Sequence, residues 1–228
     1  MPSSRRLQGL VTAARLQPVK QVSSSRSAWL RVLVFALGVA LAVGASHGAG
    51  TAVLPKKVPP AEWVTLNACK FMTEELSDGD SFHVKYGQRE FIFRLYFVDA
   101  PETDEKLKER IREQCEYFGV TRAEVLKAGK AAKKFTAERL KKDFTVTTRW
   151  QNALGRSRLS RYYAQIDVSG KDLAEMLVSS GLARVKGAVA ILPEGGRAKD
   201  HKEMLQRLED EAKAKRIGLW AHSKSADP

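Results

Sequence analysis

The chain has 228 residues, 43% of them hydrophobic, and a formal net charge of +13. That is enough for one domain with a real core plus appendages. Two cysteines, Cys69 and Cys115, exclude a disulfide framework, and no Cys or His cluster has the spacing of a zinc module.

The charge is uneven. Residues 1–49 hold Arg5, Arg6, Arg15, Lys20, Arg26 and Arg31 and no acidic residue, so removing these six from +13 leaves +7 on the remainder. A basic domain favours a polyanion such as nucleic acid; a solvated basic surface is the other reading. After the basic leader comes an apolar run, Val32 to Ala45, and then small residues from Ser46 to Ala52. Its fourteen residues are short for a bilayer span, which wants about 20. They suit the core of a signal peptide. The long leader leaves a second reading, an uncleaved membrane anchor through residues 28–49. In both readings positive charge stays on the cytoplasmic side and the domain beyond is expected outside the cytoplasm. No cysteine follows the run, which argues against a bacterial lipid anchor. Residues 50–62, with Pro55, Pro59 and Pro60, read as a linker. That leaves 63–222 for the folded domain and 223–228 for a tail.

Trp63 to Phe71 reads as a first strand. Ser77 to Asp80 is a turn. Ser81 to Tyr86 and Arg89 to Val98 make a hairpin across Gly87-Gln88. In the second arm Phe91, Phe93, Leu95 and Phe97 share one face, the natural core, and Ile92, Arg94 and Tyr96 share the other. Asp104 to Gly119 is rich in both charge signs. Thr121-Arg122-Ala123-Glu124 is a capping box that opens a helix to about Lys142, with Val125, Ala128, Ala132 and Phe135 on one stripe. Phe144 to Trp150 and Leu159 to Val168 read as strands. Asp172 and Glu175 start a short helix that ends at Gly181, and Asp200 to Arg216 is the last helix. Short strands with helices laid against them imply an α+β fold.

The chemistry gathers in Asp78-Gly79-Asp80-Ser81 and in Phe93-Arg94-Leu95-Tyr96-Phe97-Val98-Asp99-Ala100-Pro101-Glu102-Thr103. Carboxylates bind a hard cation, a guanidinium grips phosphate, and a free carboxylate takes a proton from water. Arg94 inside an apolar strand is costly unless paired, which favours a functional role. Asp78 is assigned to capping the turn. An EF-hand is excluded: counted from Asp78, the sixth position is His83 and the twelfth is Arg89, where glycine and glutamate are needed. Cys69 and Cys115 are either two free thiols or an exported pair.

These motifs, with Gly155-Arg156 after the next strand and a terminal helix closing on Gly218-Leu219-Trp220, resemble the staphylococcal-nuclease-like (thermonuclease) family from about Trp63 to Trp220. The resemblance implies a five-stranded OB-fold barrel with about three helices. It implies calcium held by Asp80, Asp99 and the carbonyl of Ala100, with Glu102 as general base and Arg94 and Arg156 as the two catalytic arginines. The expected activity is hydrolysis of DNA or RNA to 3′-phosphate ends; the alternative is a non-catalytic OB-type nucleic-acid-binding module. The chain departs from the family in the charged segment 104–119, which has room to cover or extend a substrate groove. It also has Leu154 and Lys186-Gly187-Ala188-Val189 where the best-known members place tyrosines that help hold the nucleotide. Arg158 and Arg161 stand near Arg156 as other cations.

Overall fold

The computed structural model describes residues 62–73, 77–155 and 159–224. The leader, the apolar run and Arg156 therefore lie outside the described residues.

Strands β1 (Val64–Met72), β2 (Ser81–Tyr86), β3 (Arg89–Leu95), β4 (Phe144–Asn152) and β5 (Arg161–Asp167) close into a barrel in the order β1-β2-β3-β5-β4. The hairpin β2–β3 turns at Gly87 with φ 57°, which fixes a register that pairs Ser81 with Arg94. β3 pairs with β5 in parallel; the other neighbours are antiparallel. Phe82, Val84, Phe93, Leu95, Val146 and Ile166 fill the interior, all buried. This is the α+β fold that the sequence pattern predicts and the five-stranded OB-type barrel that the family resemblance implies.

Two features of β3 differ from the sequence reading. It stops at Leu95, because Phe97 takes φ 65° and donates its N–H to the Ala188 carbonyl at 2.9 Å. The chain thereby leaves β5 and runs beside the segment that follows Gly181, where Asp99 and Arg184 exchange backbone hydrogen bonds at 3.0 Å. In addition, both faces of β3 are covered. Ile92 and Tyr96 are buried as well as the phenylalanines, with Tyr96 stacked on Tyr163 and edge-on to Trp63. Arg94 is the one charged member of that second buried row.

Four α-helices are found among the described residues, one more than expected, with a 3₁₀ turn at Gly218–His222. The extra helix is α1 (Lys108–Phe118), from the charged segment before the capping box. It buries Ile111, Gln114 and Phe118, and Phe118 packs on Trp220 with ring centroids 4.6 Å apart. α2 (Arg122–Arg139) starts on the predicted capping box: Thr121 accepts from the Glu124 N–H, and Glu124 accepts from that of Thr121 at 2.7 Å. Such caps contribute about 1 kcal/mol. α3 (Leu173–Ser179) is capped by Asp172, and α4 (Ala198–Ala214) follows. Cys69 sits in the barrel interior and Cys115 on α1, and both are free thiols. Burial pushes the Cys69 thiol up to about 11, which makes it unreactive near neutral pH.

Candidate active site

The Asp78-Gly79-Asp80 turn is tied on three sides. Asp78 accepts the Asp80 N–H at 3.2 Å, as a capping aspartate does. The Asp80 carbonyl accepts from the Leu95 N–H at 2.9 Å, and Thr136 on α2 donates to the Gly79 carbonyl at 2.7 Å. Asp80 thus stands beside Arg94, which the hairpin register sets opposite Ser81. One nitrogen, Arg94 Nη2, lies 2.8 Å from Asp80 Oδ2 and 3.0 Å from Asp99 Oδ1. The Ala100 N–H also donates to Asp80 Oδ2, at 3.2 Å. Asp80, Arg94, Asp99, Ala100 and Glu102 therefore meet in one place.

Asp99 is the hub of this cluster. Its Oδ1 takes Arg94 and also Arg110 Nη2 at 2.6 Å. Its Oδ2 takes Arg184 through Nε at 3.0 Å and Nη2 at 2.9 Å, and Gln114 Nε2 at 3.2 Å. Gln114 is a clamp: it also donates to the Ala100 carbonyl at 3.0 Å and accepts from the Glu102 N–H at 2.9 Å. Arg110 Nε lies 2.5 Å from Glu102 Oε1. Three guanidiniums and an amide thus lock the loop that carries Asp99 and Glu102.

The same loop rests directly on α2. A Cβ built on Gly129 would lie 2.2 Å from the Glu102 carbonyl oxygen and 2.7 Å from that of Pro101. Only glycine lets the helix backbone touch the loop here, which offsets its cost within a helix. Gly129→Ala is expected to destabilise the fold by about 1–3 kcal/mol through overpacking. It should also cut turnover on the order of a hundredfold, the effect of shifting a reacting group by about an ångström. Melting temperature and initial rate check the two effects separately; a wild-type rate would mean that the position of Glu102 is not critical.

The electrostatics separate the three carboxyls. Burial pushes Asp80 well above the usual carboxylate range, and Asp78 adds to this against the pull of Arg94. Burial acts the same way on Asp99, but Arg110, Arg184 and Arg94 outweigh it and hold that carboxyl below the usual range. Glu102 ends on the raised side, because burial, helped by Asp99 and Asp80, exceeds the pull of Arg110. Asp80 is therefore the carboxylate with most to gain from a further cation.

The donor chemistry fits a hard divalent ion. Asp80, Asp99 and the Ala100 carbonyl are oxygen donors, and the point between the two carboxylates already holds a cationic nitrogen, Arg94 Nη2. Among the described residues no three acidic, histidine or cysteine side chains stand together to hold an ion. Backbone oxygens and water are then needed to complete such a shell.

Arg156 lies outside the described residues, so its place relative to this cluster is not defined. Arg161 is described. It pairs with Ile92 on β3, one row from the Arg94–Tyr163 pair, and so shares the sheet face of Arg94. Its Nε donates to the Leu154 carbonyl at 2.8 Å and its Nη1 lies 3.4 Å from Ser81 Oγ. Burial and the nearby Arg94 charge pull its pKa down. A Cβ on Gly155, at φ 151°, would come within 3.0 Å of Arg161 Nη2.

Sequence reasoning did not assign Arg110, Gln114 or Arg184. The first two stand four apart and share a helix face once α1 is known, but no cap or apolar stripe marks that helix in the sequence. Arg184 had none beyond a charged residue closing the apolar Leu182-Ala183 pair.

The arrangement combines paired guanidiniums, a raised carboxyl and two carboxylates that converge on one cation. It is suited to hold a phosphoryl group and move a proton beside it. A family model described as staphylococcal nuclease homologue matches residues 92–222, more than half of the chain and all of this cluster except Asp80.

Proposed function

Because the chain belongs to the staphylococcal nuclease homologue family, we propose that it is a calcium-dependent nuclease that hydrolyses phosphodiester bonds of DNA or RNA and leaves 3′-phosphate ends. The observation that carries this reading is the convergence of Asp80 and Asp99 on Arg94, with Glu102 three residues further along a loop clamped by Gln114. Asp80, Asp99 and the Ala100 carbonyl would hold calcium, which when bound supplies charge neutralisation and Lewis acidity. Glu102 takes the proton of the attacking water. Arg94 neutralises the charge that develops on the phosphoryl oxygens, where a fixed guanidinium counts most because it needs no reorganisation.

The second guanidinium is Arg156 in this reading, as the family's motif implies. A second reading assigns it to Arg161, favoured by one observation: Gly155 makes room for the Arg161 guanidinium beside Ser81 and on the Arg94 face. Arg156→Lys and Arg161→Lys separate the two. The true partner should lose roughly two orders of magnitude in rate, the scale of one transition-state donor, and the other should stay near wild type.

Export or anchoring rests on the run from Val32 to Ala45, which lies outside the described residues. Among the described residues no helix is long and apolar enough to cross a membrane.

The test is incubation of the full chain with plasmid DNA and with single-stranded RNA. Both should be cut, and the new 3′ ends should resist polymerase extension until treated with phosphatase. Tight binding without cleavage would favour the non-catalytic module instead.

A further inference from the structure

Arg110 has no task in the mechanism above, yet it touches both Glu102, at 2.5 Å, and Asp99, at 2.6 Å. Asp99 has other partners as well. Arg94, Arg184 and Gln114 already reach both of its oxygens. The three guanidiniums also differ in burial: the side chains of Arg184 and Arg94 are 2% and 12% exposed, and that of Arg110 is 43% exposed. A buried guanidinium leaves its carboxylate only at a large cost. A half-exposed one keeps water on one side and is free to turn toward a ligand that arrives from solvent.

The helix that carries Arg110 does not need to move with it. α1 is anchored by Ile111, Gln114 and Phe118, all buried, and by the packing of Phe118 on Trp220. The side chain alone can change partner. Arg110 Nε covers one carboxylate oxygen of Glu102, Oε1, so a water can be activated at that oxygen only once the guanidinium has moved. A phosphoryl group attacked by that water lies within reach of the same guanidinium, whose planar fork matches two phosphoryl oxygens.

We infer that Arg110 is a phosphate-contacting residue of this site, delivered by α1: it rests on Glu102 and Asp99 in the free protein and turns onto the phosphodiester of bound nucleic acid, uncovering Glu102. This rests on the nuclease reading, and it adds a substrate contact that the two-arginine site lacks.

The test is binding of a fluorescein-labelled single-stranded oligodeoxynucleotide by the full chain in excess EGTA, followed by anisotropy across a salt series. Arg110→Ala should weaken binding on the order of tenfold. It should also make the salt dependence shallower by about 0.7, the share of one phosphate contact on a single strand. Arg112→Ala is the control on the same helix, where Arg112 is 69% exposed and pairs with Glu109; it should change neither quantity. Arg110→Lys should restore the salt dependence, because it keeps the charge, and part of the affinity, because it lacks the fork. Affinity and salt slope unchanged in Arg110→Ala overturn the inference, and the nuclease reading then stands if wild type cleaves and Arg94→Lys does not. Wild type that neither binds nor cleaves overturns both. Arg110→Gln serves if the alanine variant does not fold; failure of both to fold makes Arg110 a structural partner of its carboxylates and also overturns the inference.

Discussion

Arg94→Lys is expected to lower the cleavage rate by roughly two orders of magnitude or more, the scale of one lost transition-state donor. Lysine keeps the charge but not the fork: an ammonium that spans Asp80 and Asp99 as Arg94 Nη2 does has no second nitrogen to offer a phosphoryl group. Arg94→Ala should do more. It leaves Asp80 buried without the guanidinium now 2.8 Å away, and breaking a buried ion pair from one side costs about 3–5 kcal/mol. The lysine variant should therefore melt near wild type while losing rate, and the alanine variant should lose both. Thermal melts and initial rates on one DNA substrate check this. A lysine variant with wild-type turnover would reduce Arg94 to a structural role.

Glu102→Gln has the second large effect. It preserves shape and removes the base, so the rate should fall roughly a hundredfold or more. The side chain is mostly buried, and burial is the main reason its pKa is raised. The base works only when deprotonated. Wild-type activity should then fall with decreasing pH at a higher pH than an ordinary glutamate would give. The glutamine variant should lack that acid limb over the range where the fold holds. An unchanged pH–rate profile in the variant would place the base elsewhere.

Much of this site is legible in the sequence because it is local. The two-residue turn after Tyr86 fixes the register that sets Asp80 beside Arg94, and the strand end delivers Asp99 and Glu102 within eight residues of Arg94. The capping box of α2 is equally local and falls where expected. α1 is not legible in the same way. Its N-cap is Leu107, which offers no side-chain hydrogen bond, and its face mixes both charge signs, so neither cap nor stripe marks it. Arg184 is hidden for a different reason: it meets Asp99 from 85 residues away, through a bridge that only the tertiary fold makes. The end of β3 is not legible because nothing in Tyr96-Phe97-Val98 signals a left-handed residue; Phe97 adopts that conformation and reaches Ala188. Leu154, 75% exposed, presents no aromatic ring at the position where the resemblance implies a tyrosine.

If Asp80 and Asp99 serve a calcium-dependent cleavage, removing calcium stops it. Purified full-length protein should cut plasmid DNA in calcium, stop in excess EGTA, and recover when calcium is restored; Asp80→Ala should remain folded and inactive throughout. Undiminished cleavage in excess EGTA, with Asp80→Ala as active as wild type, would mean that neither calcium nor Asp80 takes part in the reaction.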